Sequence, residues 1–271
     1  MEDHELVDTI DGVWRSIDEF GAALTEAEWK TPTELPGWSV QDNLVHLSSI
    51  EARLLGRPWR GLPDAPGGPH VLNDFGNENE KAVHSRRTWT GAEALAEFHS
   101  LTRERVDVLR ALDTAGFDAD AWTPMGQGTV RSMLTFRIID AYAHEQDMRR
   151  AVAHLGGTAS LAADHVLNEM AGIMPFVIGK KAAAPDGSTV VFSLGEPLAR
   201  TVSIEVVDGR ARLTDRIPDQ PTTTLTMSTI TFERLGFGRV DPEAALAAGD
   251  VTIDGDGDLG NRVVGAMNYM F

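Results

Sequence analysis

The chain has 271 residues, 42% hydrophobic and 24% charged, with a net charge of −17 and a pI of about 4.8. This composition is typical of a globular protein of one large or two ordinary domains, and the acidity argues against nucleic-acid and anionic-membrane partners, which need a basic surface. The absence of cysteine excludes disulfides, thiolate metal ligands and a cysteine nucleophile, so any reactive thiol must arrive on a cofactor.

The amino-terminal residues are acidic and no apolar run follows them. No stretch of the chain approaches the roughly 18 apolar residues that a membrane span requires. We therefore expect a cytoplasmic protein.

The first 155 residues are predicted to form four helices and hence a helix bundle. Ser39-Val-Gln-Asp42 fits a capping box at the start of the second helix. The third helix is expected to break near Trp89-Thr-Gly91. A Pro/Gly-rich loop over residues 57–75 is long enough to act as a lid, and a second Pro/Gly loop precedes the fourth helix. Apolar periodicity places the four helices at residues 5–26, 39–56, 76–112 and 130–154.

After Gly156-Gly157 the pattern changes to a helix followed by strands, which predicts a small α+β domain. Asp208-Gly209 between two alternating segments predicts a hairpin. The segment Asp254-Gly-Asp-Gly-Asp258 lacks the glycine and glutamate of an EF-hand and is interpreted as a turn into the last helix. The other predicted elements are helices over 160–180 and 228–237 and strands over 188–194, 201–207, 222–227 and 251–253.

The most informative residues are Asp140 and His144, which stand four positions apart on the fourth predicted helix. This spacing puts a carboxylate and an imidazole on one face, one turn apart, where they can share a divalent metal. His46 on the second predicted helix is the best candidate for a third ligand. Two histidines and one carboxylate are a ligand set of catalytic zinc or non-haem iron.

A less specific interpretation exists for each of these residues. Arg137, Asp140, His144 and Asp147 form a polar stripe that could be a solvated helix face. The rest of the helix is apolar, however, and a stripe buried in a bundle must be paired or metal-bound. His46 alone could be a hydrogen-bonded core histidine.

The chain resembles the maleylpyruvate isomerase family of mycothiol-dependent enzymes, in which a DinB-like four-helix bundle precedes a sterol-carrier-like domain. The resemblance implies an α+β protein with the bundle in residues 1–157 and a small α/β sterol-carrier-like domain in residues 158–271. Segments that carry it are Pro32–Leu47, Asn73–Glu80 and Asp140–Ala151 in the first half and, more weakly, Phe232–Arg239 and Val251–Asp256 in the second.

The resemblance implies a metal triad of His46, Asp140 and His144, with zinc as the first choice of metal and nickel or iron as alternatives. The family pattern has glutamate where this chain has Asp140, whose side chain is one methylene shorter. Asp147 becomes a supporting residue paired with Arg149 or Arg150. Mycothiol, or a similar low-molecular-weight thiol, is the implied cofactor.

The implied function is a metal-dependent enzyme that activates this thiol for transfer to, or isomerisation of, a small electrophilic substrate. Arg137 and Arg239 are candidates to hold a substrate carboxylate. One alternative is a hydrolase in which water replaces the thiol at the same triad. The other is a module whose second domain binds a lipid or another hydrophobic small molecule. Its candidate lining residues, which core packing would explain as well, are Phe176, Phe192, Met227, Phe237 and Met267.

Overall fold

A computed structural model of the chain describes residues 1–57, 62, 64–65, 67–68 and 71–269. The chain divides into two units, Met1–Gly157 and Thr158–Phe271. The predicted lid over residues 57–75 lies partly outside the described residues.

The first unit consists of helices and one small hairpin. A two-stranded antiparallel ribbon, β1 (Asp120–Thr123) and β2 (Gly126–Thr129), directly precedes the last helix of the unit. The helices are α1 (Asp3–Ala22), α2 (Glu26–Trp29), α3 (Val40–Leu54), α4 (Asp74–His84), α5 (Gly91–Arg110), α6 (Thr114–Asp118) and α7 (Val130–Ala151).

Four long helices of this unit form the predicted bundle. α1 packs against α5 and α7, and α3 packs against the same two helices, so the order around the bundle is α1–α5–α3–α7. Full burial of a large apolar side chain contributes about 1.5–3 kcal/mol, which makes these contacts the main source of stability. The fully buried apolar residues include Ile10, Ile17, Leu44, Leu47, Phe98, Leu109, Ile138 and Tyr142.

The capping box predicted at the start of the second helix is confirmed. The Ser39 hydroxyl accepts from the Asp42 amide at 3.2 Å, and the Asp42 carboxylate accepts from the Ser39 amide at 2.9 Å. These two bonds satisfy amide groups that the first turn of α3 leaves without helical partners. They fix where α3, the helix that carries His46, begins.

Some predicted boundaries in the first unit are wrong. The first helix ends at Ala22 rather than residue 26, because Thr25 caps the separate short helix α2. The predicted Pro/Gly loop before α7 is the β1–β2 hairpin, whose turn includes Gly126 at a φ of 107° that favours glycine. Strands of four residues are too short to show a periodic pattern. The predicted break near Trp89 is confirmed and separates α4 from α5.

The second unit contains a five-stranded sheet and four helices among its described residues. The strand order is β5–β4–β3–β6–β7, with β3 and β6 parallel and the other neighbours antiparallel. A π-helical turn at Val177–Lys181 follows α8. The elements are α8 (Leu161–Phe176), β3 (Thr189–Gly195), β4 (Arg200–Val207), β5 (Arg210–Thr214), β6 (Thr223–Ser228), α9 (Thr229–Gly236), α10 (Pro242–Ala248), β7 (Val251–Gly255) and α11 (Gly257–Ala266).

The turns predicted in the second unit are confirmed. Asp208 and Gly209 join β4 to β5, and both have the positive φ, 53° and 70°, that a two-residue hairpin of this kind requires. Asp256 accepts from the Leu259 amide at 2.9 Å and caps α11, so the aspartate-rich segment is a turn into the last helix. Phe192 and Phe232 cross edge to face at 5.5 Å in the core.

Most of the apolar residues proposed to line a ligand cavity are packed in the core of this unit. Phe192, Met227, Phe237 and Met267 are buried, whereas Phe176 at the end of α8 is exposed.

The α+β fold class, with a helical first unit and a mixed second unit, is confirmed. None of the described helices combines the length and the apolar composition needed to cross a bilayer.

Candidate metal centre

Three residues proposed as ligands lie together between α3 and α7. His46 is in the second turn of α3, and Asp140 and His144 are one turn apart on α7. One potential ligand atom from each lies within 4.8 Å of the others. His46 Nε2 is 3.5 Å from Asp140 Oδ2, and His144 Nε2 is 3.5 Å from Asp140 Oδ1, so both rings point their Nε2 atoms at one carboxylate.

The polar stripe of α7 is buried rather than solvated. Arg137, His144 and Asp147 are all less than 9% exposed. Only the Asp140 side chain, 33% exposed, reaches solvent to any extent. The interpretation of this stripe as a solvated helix face is therefore wrong. A ligand that arrives from solvent would reach the stripe at Asp140.

Asn43 determines which nitrogen of His144 carries the proton. Its amide nitrogen donates to the Ser39 carbonyl at 2.9 Å, so its oxygen is the atom that lies 2.7 Å from His144 Nδ1. An amide oxygen only accepts, and His144 must therefore carry its hydrogen on Nδ1. In the neutral ring Nε2 then carries the lone pair, and an Nδ1–H held by an acceptor in this way is the arrangement found in metal-binding histidines.

Asp147 supports the same histidine from the buried side. Its Oδ2 is 3.5 Å from His144 Nδ1, and its Oδ1 accepts from Arg150 at 2.6 Å. Arg150 in turn donates to Glu34 at 2.9 Å. Of the two arginines predicted as partners of Asp147, Arg150 is the one that donates to it. Arg149 donates to Glu145 instead.

Arg137 contacts two carboxylates. Its Nε donates to Glu51 Oε1 at 2.7 Å, and its Nη1 donates to Asp140 Oδ2. Arg105 of α5 donates to the other oxygen of Glu51 at 3.1 Å. The predicted contact of Arg137 with a substrate carboxylate stays a prediction, whereas its contacts in the structure support a role in holding Asp140.

Burial and neighbouring charges shift the pKa values of all three residues. Burial would raise the pKa of Asp140, but Arg137 and the two histidines outweigh it and hold this pKa well below its usual range. Burial lowers the pKa of His46, and the charge of Asp140 only partly offsets it. Burial alone would lower the pKa of His144. Asp140 and Asp147 have the opposite and larger effect, so the pKa of His144 is raised above its usual value.

Trp38 covers the two imidazole rings. Its ring centroid is 5.2 Å from that of His46 and 6.0 Å from that of His144, and the two imidazoles are 4.8 Å apart. The indole nitrogen donates to the buried Glu80 at 2.9 Å, which fixes the ring. Trp38 therefore excludes water from one side of the histidines.

The donor set and its spacing fit a divalent metal. Zinc binds imidazole nitrogen and carboxylate oxygen at about 2.1 Å, and two ligands of a tetrahedral ion at that distance lie about 3.4 Å apart. The distance of 3.5 Å from each histidine to one oxygen of Asp140 is close to this spacing, and the three ligand atoms taken one from each residue lie within 4.8 Å of one another. Among the described residues, His46 Nδ1 and Arg137 Nη2 are buried without a hydrogen-bond partner, a feature that is common at functional sites.

Arg239, the other candidate for a substrate carboxylate, lies in the second unit. It follows α9, is half-buried, and donates to the Phe237 carbonyl at 2.6 Å. Its predicted role is not decided by these contacts and stays a prediction.

Sequence analysis missed several residues of this centre. Asn43 lies three positions before His46 and so on the same helix face, a spacing that could have identified it. Glu51 stands five positions after His46, between Ile50 and Ala52, and nothing in this local pattern identifies it. Arg105 on α5 gives no signal in the sequence, because its partner lies on another helix.

Comparisons with known proteins agree with this architecture. Residues 10–149 match the family described as mycothiol maleylpyruvate isomerase N-terminal domain, and residues 178–268 match the SCP-2 sterol transfer family. No curated protein matches the chain.

Two solved structures resemble the chain over nearly its whole length. The crystal structure of the mycothiol-dependent maleylpyruvate isomerase has a TM-score of 0.60 and 16% identity, covering 94% of this chain and 93% of that chain. A histidine-to-alanine mutant of that enzyme covers the same shares, with a TM-score of 0.56 and 15% identity. At these identities the likeness shows the fold.

Proposed function

The chain belongs to the mycothiol maleylpyruvate isomerase family, and from this premise we propose that it is a metal-dependent enzyme using a low-molecular-weight thiol such as mycothiol. Its proposed reaction is isomerisation of a small electrophilic substrate or transfer of the thiol to it. The observation that carries the proposal is the convergence of His46, Asp140 and His144 in a chain without cysteine.

His46, Asp140 and His144 would hold the metal, with zinc as the first choice and nickel or iron as alternatives. When bound, a divalent ion lowers the pKa of a coordinated thiol, so that thiolate forms at neutral pH. The missing cysteine fits this chemistry, because the nucleophile belongs to the cofactor.

The chain's own residues prepare this site in three ways. Asn43 keeps the His144 proton on Nδ1, so that Nε2 is available as a ligand. Trp38 shields the imidazole rings from water. Arg137 holds the Asp140 carboxylate, whose side chain is 33% exposed and can be reached from solvent.

Metal content and thiol dependence test the proposal together. We expect near-stoichiometric zinc, nickel or iron in the wild type, measured by inductively coupled plasma mass spectrometry, and its loss in Asp140→Ala and His144→Ala. Turnover of maleylpyruvate or a related electrophile should require added thiol. A wild type that binds none of these metals even after metal is added back would refute the proposal.

The same triad also suits the hydrolase alternative, in which water replaces the thiol. The thiol requirement separates the two, because a hydrolase turns over its substrate without any thiol. A fully active His144→Ala variant would exclude both chemistries at this centre.

Binding of a hydrophobic ligand by the second unit is a second candidate function, favoured by the SCP-2 match over residues 178–268. Titration of the full chain with a fluorescent fatty acid tests it. Saturable binding that survives Asp140→Ala would support a separate site in the second unit, whereas no binding would remove this candidate.

A further inference from the structure

A chain of alternating charges runs from the interior of the bundle to the candidate metal centre. Arg105 of α5 donates to Glu51 of α3, Arg137 of α7 donates to the other oxygen of Glu51, and Arg137 also donates to Asp140. Glu51 is fully buried, and both arginines are less than 9% exposed. This charge chain, Arg105–Glu51–Arg137–Asp140, links three helices of the bundle.

The four members of the charge chain balance one another as two guanidinium groups and two carboxylates. Breaking a buried pair by removing one partner is costly, because it leaves the other charge buried and uncompensated. The charged residue that is left unpaired is therefore expected to form an ion pair with the nearest opposite charge. For Arg137 without Glu51, that charge is Asp140.

We infer that Glu51 is a positioning residue that keeps Asp140 available to a metal by restraining Arg137. The inference rests on the proposed function, in which Asp140 is a ligand. Glu51 occupies Nε of Arg137, Nη1 alone reaches Asp140, and Nη2 has no hydrogen-bond partner among the described residues. Arginine has five N–H donors in a rigid fork and binds carboxylates through two parallel bonds when it is free to turn.

Both oxygens of Asp140 matter to the centre. Oδ2 faces His46 Nε2 and Oδ1 faces His144 Nε2, each at 3.5 Å. A guanidinium released from Glu51 would take both oxygens and add its positive charge where the metal binds. It would thus compete with the divalent ion for the same carboxylate.

Zinc affinity of Glu51→Gln, measured by competition with a chromophoric chelator, tests the inference. Loss of a residue that orients a metal ligand typically lowers affinity 10–100-fold, and we expect a loss in that range. Arg105→Gln disturbs the same buried charge chain but leaves Arg137 bound to Glu51, so its loss of zinc affinity should be smaller than that of Glu51→Gln.

The decisive comparison removes the proposed competitor. In a background of Arg137→Met, the additional change Glu51→Gln should no longer reduce zinc affinity, because the guanidinium that contacts Asp140 is already absent. An equal loss with and without Arg137 would overturn the inference. Should Glu51→Gln fail to fold, Glu51→Asp keeps the charge, retracts it by one methylene, and is expected to give a smaller loss of the same kind.

Glu145→Gln is a matched control on α7. Glu145 is also a buried carboxylate, but it accepts from Ser16 at 2.6 Å and Arg149 at 2.8 Å on the side of α1. Its zinc affinity should be unchanged, and a loss equal to that of Glu51→Gln would mean that any buried charge has this effect and would overturn the inference. A wild type that binds no zinc refutes the proposed function itself, whereas a zinc-binding wild type with an unaffected Glu51→Gln refutes only the role of Glu51.

Discussion

Replacing Asn43 should weaken metal binding although Asn43 is not a proposed ligand. Its oxygen accepts from His144 Nδ1 at 2.7 Å, and the next acceptor, Asp147 Oδ2, is 3.5 Å away. Asn43→Leu removes the near acceptor and leaves only the far one. The His144 ring is then free to turn or to move its proton to Nε2, where it would block the metal.

The size of the effect follows from these two distances. Loss of a residue that orients a metal-binding histidine costs about 10–100-fold in affinity. Because Asp147 can still accept a hydrogen bond from His144, we expect the lower end of this range, about tenfold or about 1.4 kcal/mol. Asn43→Asp keeps an oxygen at the same place, and its zinc affinity should stay within about threefold of the wild type.

A zinc titration against a chromophoric chelator measures both variants, and thermal unfolding of the metal-free proteins controls for stability. Both variants lose the bonds that the Asn43 amide nitrogen donates to Ser39 and Thr33, and Asn43→Asp in addition sets a carboxylate oxygen against the Ser39 carbonyl oxygen. If Asn43→Leu and Asn43→Asp bind zinc equally well, Asn43 does not control the His144 ring and the reasoning is refuted.

Three further predictions concern the fold and the substrate. Ser39→Ala should lower the free energy of unfolding by about 1 kcal/mol, measured in urea, because it removes the capping box of α3; an unchanged value would mean that the cap contributes nothing. Gly91→Ala should lower the same free energy by about 3 kcal/mol, because its Cβ would come within 1.9 Å of Trp29. In Gly12→Ala on α1 the added Cβ meets no atom within 4 Å, so this substitution should raise the free energy of unfolding by about 0.5–1 kcal/mol. Equal effects of the two glycine substitutions on this free energy would contradict the comparison. Arg239→Ala should lower kcat/KM for a carboxylate substrate without changing metal content, and unaltered kinetics would exclude a role in substrate binding.

In the first unit, the sequence predicted which residues share a helix face better than it predicted which residues of different helices contact one another. Helical periodicity places Asp140 and His144 on one face, and the capping box at Ser39 fixes the start of the helix that carries His46. These local rules bring the three side chains to the same interface, where the structure places them together. Their role as ligands stays a prediction.

Contacts that join different helices could not be predicted in the same way. Glu51 meets arginines of α5 and α7, and this choice of partner depends on how the bundle packs rather than on any local pattern. The β1–β2 hairpin was missed because four-residue strands containing Gly126 and Gly128 have neither the length nor the composition of a strand. Arg137 was singled out as a candidate to hold a substrate carboxylate, which stays a prediction, and its contact with Glu51 of α3 is visible only in three dimensions.

The position of the candidate centre has a consequence for the stability of the first unit. The contact between Asn43 and His144 joins residues 101 positions apart, and the contact between Glu51 and Arg137 joins residues 86 apart. An ion bound by His46 and α7 would close a loop of this size in a chain that has no disulfide. An ion that binds the folded but not the unfolded chain stabilises the fold by mass action, by about 2.7 kcal/mol when its free concentration is about 100 times its Kd. The metal would thus act as a reversible cross-link between α3 and α7, and a chelator should lower the melting temperature of the wild type but not that of Asp140→Ala.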